Sequence, residues 1–109
     1  MGLFTPKWMS NDPTKARKAV EKITDPEKLA EVAVNAKLQD VVRKAIECIH
    51  DEAVLAEITL GDADSFAVRR ALERVAHPDL LKKIADEAEQ DWVRVSALTR
   101  LAKQNKAQT

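Results

Sequence analysis

The chain contains the segment Val68-Arg69-Arg70-Ala71-Leu72-Glu73-Arg74-Val75, and close copies of it lie 26 residues earlier and 26 residues later. A fourth copy begins at Ala16. Alanine recurs at positions 19, 45, 71 and 97, and an aliphatic residue follows one and four positions after each alanine. Four copies at one interval indicate a repeat protein, in which each unit packs against its neighbours.

The segments between these copies also match one another, with leucine at positions 29, 55 and 81. Each unit is therefore predicted to hold two helices, A over 26–37, 52–61 and 78–89, and B over 13–24, 40–50, 65–76 and 91–104. Helix starts are indicated by proline after a capping residue, at Asp12-Pro13, Asp25-Pro26 and His77-Pro78. Asp64 or Ser65 is expected to cap the third B helix after the break at Gly61.

The repeated alanine has a physical role, because a small side chain allows helices A and B to approach closely. No single hairpin can bury its apolar stripe alone, so neighbouring hairpins must stack. The predicted fold is all-α, a right-handed α-solenoid of about three and a half helical hairpins with a 26-residue period. We expect residues 1–10 to form an N-terminal cap segment, residues 11–103 a single repeat domain and residues 104–109 a frayed tail.

Composition excludes several classes of protein. The 109 residues carry 18 basic and 18 acidic side chains, which argues against a protein that coats a polyanion along its whole surface. Cys48 is the single cysteine, so the chain cannot form an internal disulfide, and a reducing cytoplasm fits best. No apolar run approaches the roughly 18 residues that a membrane span needs.

The sequence resembles the HEAT-like and armadillo-like α-solenoid families, and it is also similar to the leucine-rich repeat variant proteins. The resemblance covers residues 11–103 and rests on an acid that leads into a Val-Arg at the start of helix B, at 40–43, 64–69 and 91–94. It implies a scaffold or binding surface, and in similar families helix B lines the concave side.

The chain also departs from these families. Its period is well below the roughly 40–47 residues of full HEAT units. The last repeat has Val95 where earlier repeats have Arg43 and Arg69, and its arginine is displaced to Arg94. At the N-terminus Trp8 and its apolar neighbours Leu3, Phe4 and Met9 occupy the position of a missing first A helix, and residues 5–10 are expected to form a helical turn that caps the stack.

Little in the sequence suggests catalysis, metal binding or a cofactor. The few serines and histidines have no nucleophile-elbow or triad setting. His50 and His77 lie about one repeat apart without a cysteine spaced for zinc, and we expect His77 to cap a helix. Cys48 is expected to pack as a partly buried thiol, and Trp92 is expected to pack at the start of a B helix.

Charge segregation is the most informative feature. The B helices hold twelve basic residues, including all seven arginines, against five acidic ones, whereas the A helices and their flanks hold four lysines and eleven acids. Arginine on the B side suits pairing with carboxylate or phosphate. The candidate partner-binding residues are Arg43, Lys44, Arg69, Arg70, Arg74, Arg94 and Arg100. The alternative is that arginines such as Arg43 and Arg69 bond the acids of neighbouring repeats and only fix their stacking.

These features favour a non-enzymatic protein-interaction module that binds an acidic or extended segment of an unknown protein through the B-helix surface. Nucleic-acid binding by the same surface is the alternative, with thin support because five acids dilute the twelve cations. A small enzyme or enzyme accessory subunit is a second alternative. Weak self-association through the C-terminal repeat is also expected, because Val93, Val95, Leu98 and Leu101 lack a following repeat.

Overall fold

A computed structural model describes residues 6–107 of the chain, and every regular element in this range is helical. A short 3₁₀ turn, Lys7–Met9, precedes seven α-helices. The helices are α1 (Pro13–Glu21), α2 (Pro26–Asn35), α3 (Gln39–Cys48), α4 (Glu52–Leu60), α5 (Ser65–Glu73), α6 (Pro78–Glu87) and α7 (Asp91–Ala107). The prediction of an all-α fold is confirmed.

Each predicted helix is present, and five of the seven begin at a capping side chain. The predicted B helices are α1, α3, α5 and α7, and the predicted A helices are α2, α4 and α6. Side chains cap α1, α2, α4, α5 and α6, at Asp12, Asp25, Asp51, Asp64 and His77 respectively. The His77 Nδ1 atom accepts a hydrogen bond from the Asp79 amide at 3.2 Å, as expected of a capping residue.

Helix α7 is the main departure from the predicted bounds. It runs to Ala107, past the predicted end at 104 and through most of the segment predicted to fray, while residues 108–109 lie outside the described range. In earlier repeats the chain leaves helix B at the cap of the next A helix, and a following proline at 26 or 78 disfavours helical geometry at that cap. The corresponding residues here are Lys103 and Gln104, so nothing ends the helix.

The helices contact one another in chain order within each set. Helix α2 packs on α4 and α4 on α6, while α1 packs on α3 and α3 on α5. The A and B helices of one unit also pair, as α2 with α3, α4 with α5 and α6 with α7. Helices α5 and α7 approach each other less closely than the earlier B helices do. The resulting molecule is elongated, with extents of 55 × 24 × 19 Å.

The repeated positions form the core. Ala45, Ala71 and Ala97 are fully buried, as are Ile49 and Val75, which lie four residues after the first two of these alanines. Ala19 is only partly buried, because no complete hairpin precedes α1. Helix α4 lies between two other A helices and is buried on most sides, whereas the flanking helices α2 and α6 bury one side each.

The N-terminal turn packs where a first A helix would lie. The 3₁₀ turn contacts α1, and the Trp8 side chain packs partly buried against the core. The turn lies within residues 5–10, which are expected to form a helical turn that caps the stack. Leu3, Phe4 and Thr5, the other parts of that prediction, lie outside the described residues.

Candidate partner-binding surface

The B helices present exposed rows of charge at intervals of one repeat. One row contains Arg17, Arg43 and Arg69, a second contains Lys18, Lys44 and Arg70, and a third contains Glu21, Glu47 and Glu73. Apart from Lys44, which is half-buried, all of these residues are exposed. We call the outward surface of α1, α3, α5 and α7 the B face. The first two rows give this face its basic character.

Ion pairs on the B face are few and open to solvent. Arg43 contacts Asp40 of its own helix at 3.2 Å, and Arg70 lies 3.9 Å from Glu73. The Lys44–Glu21 pair, at 3.4 Å, joins α3 to α1. Exposed pairs of this kind contribute at most about 1 kcal/mol, so a carboxylate of a partner is able to replace the internal acid. Arg17 makes no ion pair within the described part of the chain.

Three of the seven candidate residues bind backbone carbonyls instead, and two of these, Arg74 and Arg100, do so across a repeat. The guanidinium group of Arg74 donates to the Ile46 carbonyl near the end of α3, and Arg100 donates to the Leu72 carbonyl near the end of α5. Each arginine therefore satisfies a terminal carbonyl of the preceding B helix, where positive charge also suits the helix dipole. Arg74 and Arg100 join successive repeats, and their position is filled in α3 by the half-buried Cys48.

The displaced Arg94 is also absent from the B face. It occupies the position of the buried Val42 and Val68, on the side of the helix that a following repeat would cover. Its guanidinium donates to the Ala88 carbonyl at 2.7 Å and also contacts Asp91. A one-residue shift thus moves the arginine from the B face to the end of the stack, where it completes the C-terminus of α6.

Aromatic side chains appear on the B face only in its C-terminal half. Phe66 and Trp92 occupy the position that holds Thr14 and Asp40 in the first two B helices. The Arg70 guanidinium lies 5.4 Å from the centre of the Phe66 ring, and Arg69 lies 5.8 Å from that of Trp92. Cation–π contacts of this geometry orient the arginines without consuming their hydrogen-bond donors. Both guanidinium groups therefore keep donors for an acidic ligand.

Glu52 provides a further connection between repeats. Its Oε1 atom accepts hydrogen bonds from the backbone amides of Ala76 at 2.8 Å and His77 at 3.0 Å, in the following repeat. These two bonds hold the pKa of Glu52 below its ordinary value of 4.5; partial burial acts in the opposite direction, and the charges of His77 and Arg100 lower the pKa by smaller amounts. Glu52 stands where the other A helices begin with Pro26 and Pro78.

We expect the substitution E52Q to destabilise the protein in a pH-dependent way. A carboxyl group whose folded-state pKa is depressed stabilises the fold above its unfolded-state pKa, here about 4.5, and this contribution is lost as the pH falls through the lower folded-state value. The expected loss at pH 7 is about 1 kcal/mol, because the group is partly exposed. Urea unfolding of both proteins from pH 7 to pH 3 measures it.

The exposed Glu57, on the same helix, gives the control for this experiment, and E57Q should change the stability by less than about 0.5 kcal/mol. A deficit in E52Q that stayed the same from pH 7 to pH 3 would show that the Glu52 charge is not its cause.

The range of residues 6–107 holds no group of three or more His, Cys, Asp or Glu side chains arranged for a metal ion. None of its helices has the length and apolar content of a membrane span. No family model, curated protein or solved structure matches this chain.

Proposed function

We propose that the chain is a right-handed α-solenoid of the HEAT-like or armadillo-like type and that it serves as a non-enzymatic protein-interaction module. Its ligand is an acidic, extended segment of a partner protein, and the B face is the binding surface. The observation that carries this proposal is the row of exposed arginines Arg17, Arg43 and Arg69 at the same position in three consecutive repeats.

The spacing of this row indicates the form of the ligand. Packed helices lie about 8–10 Å apart, so successive arginines of the row are separated by about that distance. An extended peptide in the polyproline II conformation advances about 9 Å in three residues and returns to the same side. A peptide with an acid at every third position would therefore place one carboxylate at each arginine, and guanidinium groups pair well with carboxylates.

The test uses synthetic peptides of about 15 residues with glutamate at every third position, and peptides of the same composition with the glutamates in one block. We expect the spaced peptide to bind more tightly, and the double reversal R43E/R69E to weaken its binding at least tenfold. Fluorescence anisotropy measures both effects. Reversal of charge at the surface of a complex acts mainly on electrostatic attraction, so the effect should shrink as salt is added.

The matched control is K82E/K83E, which makes the same change in net charge on exposed lysines of α6, an A helix. This variant should bind the spaced peptide like the native protein. Equal binding by R43E/R69E and the native chain would refute the proposal. Salt-sensitive binding of a single-stranded oligonucleotide, with no binding of either peptide, would assign the B face to the nucleic-acid alternative.

A further inference from the structure

A groove between α5 and α7 interrupts the charged B face. Its volume is about 410 Å³, and its wall includes Leu72 from α5 and Trp92, Val95, Ser96 and Thr99 from α7. Arg69, Glu73 and Arg100 complete the lining. A groove of similar volume, about 390 Å³, lies between α1 and α3, but only charged and polar side chains line it.

The repeat register shows that the wall contributed by α7 has lost its charge. Val95 replaces the arginine of the first three repeats, and its side chain is 59% exposed. Ser96 replaces a basic residue, and Thr99 replaces the glutamate of the third row. The same three positions on α1, α3 and α5 are charged in every case. This wall is therefore the uncharged part of the B face, and Val95 contributes exposed apolar surface to it.

The charges around this groove distinguish between possible occupants. The Arg69 guanidinium lies over the edge of the groove and has no carboxylate partner within residues 6–107. A ligand with an apolar side chain next to an acid therefore suits this groove, because the apolar side chain matches the uncharged wall of α7 and the acid matches Arg69. A second copy of this chain does not fit here through its own B face, which is basic, and Lys103 is also exposed on α7.

Nucleic acid is also disfavoured in this groove. The Arg69 guanidinium already lies over the Trp92 ring. Bases stack on free aromatic faces, so Trp92 is a poor stacking platform for a nucleic acid. The aliphatic contributions of Leu72 and Val95 instead suit a leucine or phenylalanine side chain.

We propose that the groove between α5 and α7 is an anchor pocket that takes one large apolar side chain of the acidic partner segment. This assignment rests on the proposed function, and it narrows the partner from any acidic segment to one with an apolar residue beside an acid near one end. Arg69 pairs with that acid, while Trp92, Val95 and Thr99 contact the apolar side chain.

The experiment compares two probes, the spaced glutamate peptide with one leucine next to a terminal glutamate and the same peptide with alanine there. The substitution W8F leaves Trp92 as the single tryptophan, so its fluorescence reports on the groove directly. We expect the leucine peptide to bind the W8F protein about tenfold more tightly than the alanine peptide and to shift the Trp92 emission.

The variant V95R, in the same W8F background, tests the pocket by restoring the arginine of the other repeats. It should abolish the preference for leucine while keeping affinity for the alanine peptide. V34R is its control, since Val34 is an exposed valine on α2. Failure of both peptides to bind any variant would refute the proposed function. Equal binding of the two peptides, unchanged by V95R, would refute the pocket alone. A dimer in sedimentation that V95R dissolves would also overturn the pocket, in favour of a second copy as occupant.

Discussion

The substitution L72A is expected to lower the free energy of unfolding by about 2–5 kcal/mol, because it removes a buried side chain at a junction between repeats and leaves a cavity. Leu72 lies on α5 and is only 4% exposed. A loss of this size is a large part of the total stability of a small domain, which is about 5–15 kcal/mol. Urea unfolding followed by circular dichroism measures it as a lower midpoint.

The matched control for L72A is L98A, at the same register position one repeat later. Leu98 is 55% exposed, and no helix within the described residues packs beyond α7. Its truncation should cost less than about 1 kcal/mol, since little buried surface is lost. Similar losses in the two variants would contradict the account, because they would mean that stacking does not determine which leucine is buried.

The substitution A71L is expected to destabilise the protein by about 1–3 kcal/mol or more. Ala71 is fully buried at the close contact between helices, so three additional carbon atoms must displace neighbouring side chains or backbone. The thermal midpoint should fall by about 4–8 °C for each kcal/mol lost, on the scale of a domain of this size. Calorimetry or circular dichroism provides the measurement.

Ala19 offers the control for A71L, since it is the equivalent alanine in the first repeat and is only partly buried beside the N-terminal turn. A19L should therefore have a much smaller effect on the midpoint. If A19L and A71L were equally destabilising, or both neutral, the recurring alanine would not be a packing requirement of the repeat.

The helices were predictable because two local signals agree. Apolar periodicity gives the buried side of each helix, and a capping aspartate or histidine marks where several of them begin. The end of α7 was mispredicted, although Lys103 and Gln104 carry the needed signal, since they replace the cap and the proline of the earlier repeats. A missing cap at a repeated position therefore predicts a longer helix.

It was harder to predict from the sequence which arginines bind backbone carbonyls and which are exposed. The sequence places Arg70 and Arg74 four residues apart on the same helix, but Arg70 is exposed whereas Arg74 reaches Ile46, 28 residues earlier. Whether Arg70 or Arg74 reaches the Ile46 carbonyl depends on how far α5 is displaced along the axis of α3. This displacement is a property of the tertiary structure, which the sequence does not give directly. The recurrence of arginine at both 74 and 100 was the available signal, since binding to a repeated backbone feature requires the same interval.

The register of the last repeat carries the most specific functional information. Loss of charge at Val95, Ser96 and Thr99 is visible in the sequence once the four B helices are aligned. The sequence does not show that the space between α5 and α7 is open, because that depends on how closely the two helices pack. The repeat register shows the loss of charge at these three residues, and the structure shows the groove beside them. Both observations are needed to identify the candidate pocket.

Arg74 and Arg100 bind the backbone of the preceding B helix, whereas Arg17 and Arg43 are exposed on the surface that we propose faces the partner. Side-chain NMR of the guanidinium groups distinguishes these two sets. We expect slow solvent exchange for Arg74 and Arg100, with couplings across the hydrogen bonds to the carbonyl carbons of Ile46 and Leu72, and rapid averaging for Arg17 and Arg43. Uniformly rapid averaging at all seven arginines would contradict this division.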